Sequence, residues 1–199
     1  LNNCYISAYG WGAAITQVTT YAMMDRLGIA QYLSRIGLLI DGNTGESLKA
    51  AKQSWMEDPV WQPLRKHCED SFVVQDWFEL FVAQNLVTDG LLYPLVYGRF
   101  AGELSQTGGA VVSMLTEFMD EWYAESVKWV DAFVKTAAAE SPENKHLLSQ
   151  WVSDGIARTT EALAALAKLM YFEDAQPALD EARAALLARA AKTGLHVHT

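Results

Sequence analysis

Glu143 and His146 form the one Glu-x-x-His pair of this 199-residue sequence, and their spacing could serve a metal. Residues three apart lie on one face of a helix. In helical bundles that bind two irons, two helices each supply such a pair and two others each supply a Glu. None of the other three histidines has a glutamate at that offset. We therefore predict that Glu143 and His146 bind no metal, and that Glu143, directly after Pro142, marks a helix start.

Several other carboxylates could contribute to an iron site. Glu79 lies in an apolar segment, and Glu117, Glu121 and Glu125 lie in the next long segment. Without a second helix that carries a histidine, however, these carboxylates leave the donor set incomplete. The sequence thus predicts a bundle of the di-iron type that lacks its iron.

The composition excludes several classes of protein. Lys and Arg number 15 against 24 Asp and Glu, which gives a net charge of −9. No basic run could neutralise phosphates, so we predict no nucleic-acid partner. The most apolar stretch, residues 72–87, is interrupted by polar residues, so we predict no membrane span. Two cysteines are too few for a disulfide framework, and we expect a cytoplasmic protein.

The positions of glycine and proline divide the chain into helical segments. Apolar residues recur between these breaks at helical spacing, and no segment alternates as a strand would. The predicted helices cover residues 3–40, 44–56, 58–88, 91–104, 110–139, 142–170 and 174–192. Within them, residues 72–87 are apolar nearly all round, which is typical of a central helix. The fold class is therefore all-α, a bundle of long helices joined by short loops.

The composition also changes near the C-terminal end, where Ala, Leu, Glu and Arg predominate in residues 157–192. We interpret the chain as a single helical domain over residues 1–199. Residues 1–156 are predicted to form the bundle core, and residues 157–199 a peripheral pair of Ala-rich helices.

Four ungapped stretches resemble a known family. They are DRLGIAQYLSRIG (25–37), DGNTGE (41–46), DWFELFVAQNLV (76–87) and DGLLYPLVY (89–97). In these stretches the chain resembles the non-catalytic β subunits of bacterial multicomponent phenol and toluene monooxygenases, most closely the phenol hydroxylase type. The likeness runs from about residue 2 to residue 151 and weakens in the Ala-rich tail.

The resemblance implies a ferritin-like fold that holds no cofactor and contributes no catalytic residue. It implies a catalytic α subunit with a carboxylate-bridged di-iron centre as the partner, and a small γ subunit, in a doubled assembly. It also implies an effector protein and a reductase that supplies electrons from NADH through flavin and an iron–sulfur centre. Subunits of this family are longer than 199 residues. We therefore expect Leu1 to be an internal residue and the chain to be the C-terminal part of a subunit.

The segment from residue 72 to residue 100 is predicted to form both bundle core and part of the surface that faces α. Its all-round apolar helix is followed by a Leu-Leu-Tyr-Pro sequence at residues 91–94. Aromatic side chains are enriched at interfaces between proteins. The candidate interface residues are Trp77, Phe81, Leu91, Tyr93 and Tyr97.

Two other interpretations compete with the scaffold role. The chain could bind two irons itself and act as an oxidase or oxygenase. Alternatively, it could be a free-standing helical module that recognises a partner protein. Whether the numerous tryptophans and tyrosines fill a core or an interface is left open by the sequence.

Overall fold

The structure, a computed structural model, describes residues 1–106 and 109–197. Every regular element across these residues is helical, which confirms the predicted all-α class. None of their helices is long and apolar enough to cross a bilayer. The α-helices are α1 (Asn2–Tyr9), α2 (Ala13–Ile40), α3 (Glu46–Glu57), α4 (Gln62–Ser71), α5 (Trp77–Phe81), α6 (Asp89–Tyr93), α7 (Ala101–Gln106), α8 (Ala110–Glu140), α9 (Pro142–Tyr171) and α10 (Ala175–Lys192).

Helices α5, α6 and α7 belong to one continuous helix over residues 77–106, which we call the central helix. Two π-helical segments, π1 (Val82–Thr88) and π2 (Pro94–Phe100), join them, and the backbone angles stay helical at the residues that follow each segment. The predicted break at Asp89-Gly90 is therefore wrong. Gly90 is buried, and a Cβ atom there would lie 2.8 Å from Cδ1 of Leu186. This glycine allows α10 to approach closely and does not form a turn.

The break in this part of the chain lies further upstream than the sequence predicted. Helix α4 ends at Ser71, and the central helix begins at Trp77 after five residues of irregular backbone. Oδ1 of Asp76 accepts hydrogen bonds from the backbone N–H groups of Phe78 (2.7 Å) and Glu79 (3.1 Å). Such a cap satisfies N–H groups that have no partner within the helix. Phe72, predicted as core, lies in this break and is exposed.

Helix α9 lies at the centre of the packing. It contacts α4, α8 and α10 and packs along π1 of the central helix. The hydrophobic core contains side chains from all of these elements. The largest side chains that are fully buried are Phe81, Ile6, Leu80, Leu86, Leu91, Leu95, Met119, Leu148, Ile156, Leu163, Leu186 and Val82.

The C-terminal helices share this core. The boundary predicted between residues 156 and 157 falls inside α9, which is continuous from Pro142 to Tyr171. Leu179 and Leu186 of α10 are buried in the same cluster as Leu91 and Leu95 of the central helix. The division into a bundle core and peripheral helices stays a prediction, and residues 198–199 lie outside the described part of the chain.

At Gly155, α9 and the central helix are in close contact. A Cβ atom at this position would lie 3.3 Å from both Cγ atoms of Val87, whereas a Cβ atom at Gly28 in α2 would meet nothing within 4 Å. We expect Gly155→Val to lower the free energy of unfolding by about 1–3 kcal/mol, because the added methyl groups overpack the contact.

Gly28→Val is the matched control for this substitution. We expect it to change the stability by less than about 0.5 kcal/mol, since valine has space there and a slightly better helix propensity than glycine. Urea unfolding followed by circular dichroism measures both variants. Equal effects at the two positions would show that helix propensity, and not the contact with Val87, governs Gly155.

Candidate functional site

Glu143 and His146, the Glu-x-x-His pair that we predicted not to bind a metal, lie in the first turns of α9, and both are exposed. Ser141 caps this helix, because its Oγ accepts a hydrogen bond from the backbone N–H of Asn144 at 3.1 Å. Glu143 therefore lies where the positive end of the helix dipole favours an acidic residue. That the pair binds no metal stays a prediction.

The other carboxylates considered from the sequence do not converge on this pair. Glu117, Glu121 and Glu125 are exposed on α8, and Glu79 is half-buried near the start of the central helix. Within residues 1–106 and 109–197, no group of three or more His, Cys, Asp or Glu side chains lies close enough to hold a metal ion.

The centre of the bundle instead contains an ion pair that the sequence analysis did not identify. Arg26 of α2 and Asp89 of the central helix are joined by a short salt bridge, and the Asp89 side chain is only 2% exposed. Nε2 of Gln84 donates to the second carboxylate oxygen of Asp89 at 3.1 Å. The guanidinium also donates to Oδ1 of Asn85 at 3.4 Å. Both oxygens of this buried carboxylate are thus engaged.

The amides of the same network bind the N-terminal helix to the bundle. Nδ2 of Asn2 donates to Oε1 of Gln84 (2.7 Å) and to Oγ of Ser71 (2.9 Å). Nδ2 of Asn85 donates to Oδ1 of Asn3 at 2.9 Å. Because buried polar groups are costly unless they are hydrogen-bonded, these bonds fix α1 against the central helix.

The electrostatics keep Arg26 charged. Burial by itself disfavours a cation, but the attraction and the hydrogen bond of Asp89 outweigh it and raise the pKa of the guanidinium. The guanidinium carbon also lies 5.3 Å from the ring centre of Trp122, and Nε1 of Trp122 donates to Asp25 at 3.0 Å. Aromatic faces attract such cations.

These residues do not fit a di-iron centre. The donor set for two irons consists of several carboxylates and two imidazoles. The bundle centre provides one buried carboxylate, Asp89, whose oxygens are bound by Arg26 and Gln84. The Arg26 cation would also repel a metal ion at this position. Among the described residues, this position therefore lacks the ligand set that a di-iron centre needs.

The residues predicted to face a partner are found inside the chain or at its margin. Phe81, Leu91 and Tyr93 are buried, whereas Trp77 and Tyr97 are half-buried. Tyr93 packs its ring against Tyr97, Trp122 and Tyr123, with ring centres 5.3–5.5 Å apart. Burial and the neighbouring Asp89 raise the pKa of Tyr93. The assignment of these five residues to a subunit interface stays a prediction.

Other apolar side chains are left exposed on α2 and α8. Helix α2 contacts the bundle through one stripe, with Ile15, Thr19, Ala22 and Ile29 buried. Phe118 of α8 packs edge-on against Tyr32 of α2 and joins the two helices. We call seven of these exposed side chains the α2–α8 apolar set; they are Tyr21, Met24, Leu27, Leu33, Val111, Met114 and Phe118.

Two cavities lie on either side of His67. The outer cleft, about 770 Å³, is lined by residues of α4, α9 and the central helix. The inner cavity, about 360 Å³, borders Arg26 and Asp89. His67 lines both, and its Nε2 lies 3.0 Å from the hydroxyl oxygen of Thr88. Burial, together with the charge of Arg158, lowers the pKa of His67.

The ion pair generates a testable expectation. Asp89→Leu leaves the Arg26 guanidinium, whose side chain is 26% exposed, without its carboxylate partner, so we expect the free energy of unfolding to fall by roughly 2 kcal/mol. The double variant Arg26→Met/Asp89→Leu should recover much of this loss, because no unpaired charge remains. Glu46→Ala, which breaks the exposed pair with Lys49, should change the stability by less than about 1 kcal/mol. A double variant no more stable than Asp89→Leu would contradict the electrostatic role.

Comparisons with known proteins agree with the resemblance in sequence. The oxygenase component DmpL of phenol 2-monooxygenase from Pseudomonas sp. (strain CF600) is 52% identical over 197 residues, covering 98% of this chain and 58% of the relative. The crystal structure of xenon-pressurised phenol hydroxylase from Pseudomonas sp. OX1 matches with a TM-score of 0.94 and 45% identity, covering 99% of this chain and 59% of that one. The chain thus spans less than two thirds of the length of either protein.

A more distant relative is named as the beta subunit of a hydroxylase component. The hydroxylase component subunit beta of the toluene-4-monooxygenase system from Ectopseudomonas mendocina is 25% identical over 101 residues, which is 51% of this chain and 31% of the relative. Residues 1–141 match the family model described as Methane/Phenol/Alkene Hydroxylase. The match covers well over half of the chain, and the chain therefore belongs to the methane, phenol and alkene hydroxylase family.

Proposed function

We propose that this chain is the scaffolding part of the β subunit of a di-iron multicomponent aromatic monooxygenase of the phenol hydroxylase type. It supports a catalytic α subunit in NADH- and O2-dependent ring hydroxylation, and it supplies no catalytic residue. The relatives support this role, since one is an oxygenase component of phenol 2-monooxygenase and another is a hydroxylase subunit beta.

The observation that carries the scaffold role is the α2–α8 apolar set. Leu27 is 62% exposed and Met24 is 57% exposed, although both are large apolar side chains. Large groups of exposed apolar side chains mark interaction sites in soluble proteins. We propose that the α subunit covers this set. Trp77 and Tyr97 contribute at its margin, whereas Phe81, Leu91 and Tyr93 support the surface from inside.

The central ion pair gives this surface its orientation. Arg26 lies on α2 between Met24 and Leu27, and its bond to Asp89 fixes the rotation of α2 about its axis. Side chains on the opposite side of α2 must then point away from the bundle, since successive residues of a helix differ by about 100°. In this proposal the chain positions a partner, and its buried charges do no chemistry.

The wider assembly follows from the same proposal. The α subunit contains the di-iron centre, a small γ subunit joins it, and the assembly is doubled, with an effector protein and a reductase as transient partners. We propose a cytoplasmic location because Cys4 and Cys68 are both free thiols, as in a reducing compartment. Neither nucleic acid nor a membrane is a partner.

Two alternatives remain distinguishable from the scaffold role. An oxidase or oxygenase activity of the chain itself would require a donor set for iron, and the one fully buried carboxylate of the network is bound to Arg26. A free-standing helical module that binds some other protein would use the same apolar set. It would differ in not requiring the α subunit for its stability.

The interface is tested by Leu27→Asp in the full-length chain co-expressed with its α subunit. A charge placed on a desolvated apolar contact costs several kcal/mol, so we expect at least a tenfold loss of α copurification. Leu169→Asp is the matched control, because Leu169 is 53% exposed on α9, away from the set. Native mass spectrometry measures both assemblies. Unchanged assembly of Leu27→Asp would refute the assignment of this surface.

The iron distribution tests the competing activity. We expect all iron of the purified assembly to travel with α when the subunits are separated, because the residues of this chain do not form a di-iron donor set. The Glu143→Ala and His146→Ala variants should retain the full iron content of the assembly. Inductively coupled plasma mass spectrometry measures the metal. Stoichiometric iron in this chain, lost on either substitution, would favour an oxidase or oxygenase in its own right.

A further inference from the structure

The turn between α9 and α10 contains a residue in a backbone conformation that favours glycine. Phe172 has a φ of 51° and a ψ of −112°. A positive φ brings the Cβ atom of an L-residue close to its own backbone, so glycine, which has no Cβ atom, is normally found there. Among the described residues, Asn43 is the other non-glycine residue with a positive φ, and asparagine tolerates this region. Phe172 therefore carries a backbone strain that is uncommon for a bulky residue.

Contacts on both sides hold Phe172 in this conformation. Tyr171 before it is buried, and its hydroxyl donates a hydrogen bond to the carbonyl oxygen of Leu95. Beyond the turn, Leu179 of α10 is buried in the same hydrophobic core. A single 3₁₀ turn of three residues joins the two helices. Because both helices are fixed and their connection is short, the surrounding structure maintains the strain, as it does at many functional sites.

The Phe172 side chain packs only slightly against the rest of the described chain. It is 76% exposed. Its ring belongs to neither core cluster of the described residues and stacks on none of their aromatic rings. A phenylalanine can bury roughly 150–250 Å², and aromatic side chains at the centre of an interface contribute much of the binding energy. A phenylalanine that is both strained and exposed therefore indicates an anchor that another molecule covers.

The charges beside Phe172 restrict the kind of partner. Residues 168–181 contain four acidic side chains, all exposed, and one basic side chain, Lys168. Glu181 is paired with Arg99, whereas Glu173 and Asp174 form no ion pair with a described residue. The start of α10 by itself favours acidic residues. These charges nevertheless repel nucleic-acid phosphates, anionic lipids and the same acidic turn of a second copy.

We propose that Phe172 is the anchor of a docking surface for a partner protein, which has an apolar pocket for one aromatic ring and lysine or arginine side chains at the rim of that pocket. Opposite charges at such a rim guide the association and fix the orientation of the partner. Neither α9 nor α10 contributes to the α2–α8 apolar set, so this is a second surface. The proposal does not rest on the scaffold role, because it is argued from the turn alone.

The strain is tested in the full-length chain by Phe172→Gly and Phe172→Ala. Both variants remove the ring, but alanine retains the Cβ atom that a positive φ disfavours. We expect Phe172→Gly to unfold at a higher urea concentration than Phe172→Ala. At Leu147, which is 42% exposed within α9, the glycine variant should instead be the less stable one, because glycine destabilises a helix interior. The same order at both positions would contradict the strain at Phe172 and overturn the proposal.

A photo-crosslinking residue locates the partner. The full-length chain with Phe172→p-benzoylphenylalanine, irradiated in the cells that express it, should form a covalent bond to one protein. Peptide mass spectrometry should place this bond beside apolar residues and at least one lysine or arginine of the partner. Leu147→p-benzoylphenylalanine is the matched control and should not give this product.

The affinity for the crosslinked protein, once purified, tests the anchor. We expect Phe172→Ala and Phe172→Gly to raise the Kd at least about tenfold, because both lack the ring, and Leu147→Ala to leave it within about twofold. Glu173→Lys should slow the association and weaken its dependence on salt. The absence of a crosslinked protein, a crosslink to a second copy of this chain, or an unchanged Kd in Phe172→Ala would overturn the proposal.

Discussion

The bundle depends on one buried salt bridge between Arg26 and Asp89. A carboxylate that is 2% exposed is stable as a charge only when it is paired and fully hydrogen-bonded. Arg26 and Gln84 provide these partners, Asn85 accepts a hydrogen bond from the same guanidinium, and Asn2 and Asn3 extend the network to the first helix. Since each bond has a defined geometry, the network fixes α1 and α2 against the central helix.

The consequences of this constraint reach the protein surface. Once α2 is fixed through Arg26, its buried stripe of Ile15, Thr19, Ala22 and Ile29 meets the bundle, and its other apolar side chains face outward. The same guanidinium lies over Trp122, which packs against Tyr93. The buried charge, the aromatic cluster and the exposed apolar set are therefore consequences of one packing arrangement.

The same salt bridge also makes the centre of this bundle unsuitable for the metal chemistry of di-iron helical bundles. A position near the centre of a helical bundle that could hold carboxylates for a metal is here occupied by a cation and amides. The π1 segment of the central helix carries Gln84 and Asn85 into this network. Extra residues in π turns often occur at functional sites, where they place side chains that a regular helix would direct elsewhere. In this chain they serve a polar network and the small cavity beside it.

The sequence by itself determined the all-α class, the long helices and the acidic, non-basic character of the chain. These follow from local properties, namely the helical period of apolar residues and the positions of glycine and proline. The polar residues Asn85 and Asp89, four apart in an apolar stretch, were the available signal of a buried network. The partner of Asp89 was not visible, because Arg26 is 63 residues away in the chain.

Only the tertiary structure decided which apolar and aromatic residues are buried. Tyr93 and Leu91 are equally suited by type to a core or to an interface, and packing against α8 and α10 places both inside. The Asp89-Gly90 sequence is typical of a turn, yet the helix continues through it. Gly90 is needed there because a side chain would collide with Leu186 of α10. Both outcomes depend on contacts between residues that are distant in sequence, and no local pattern encodes such contacts.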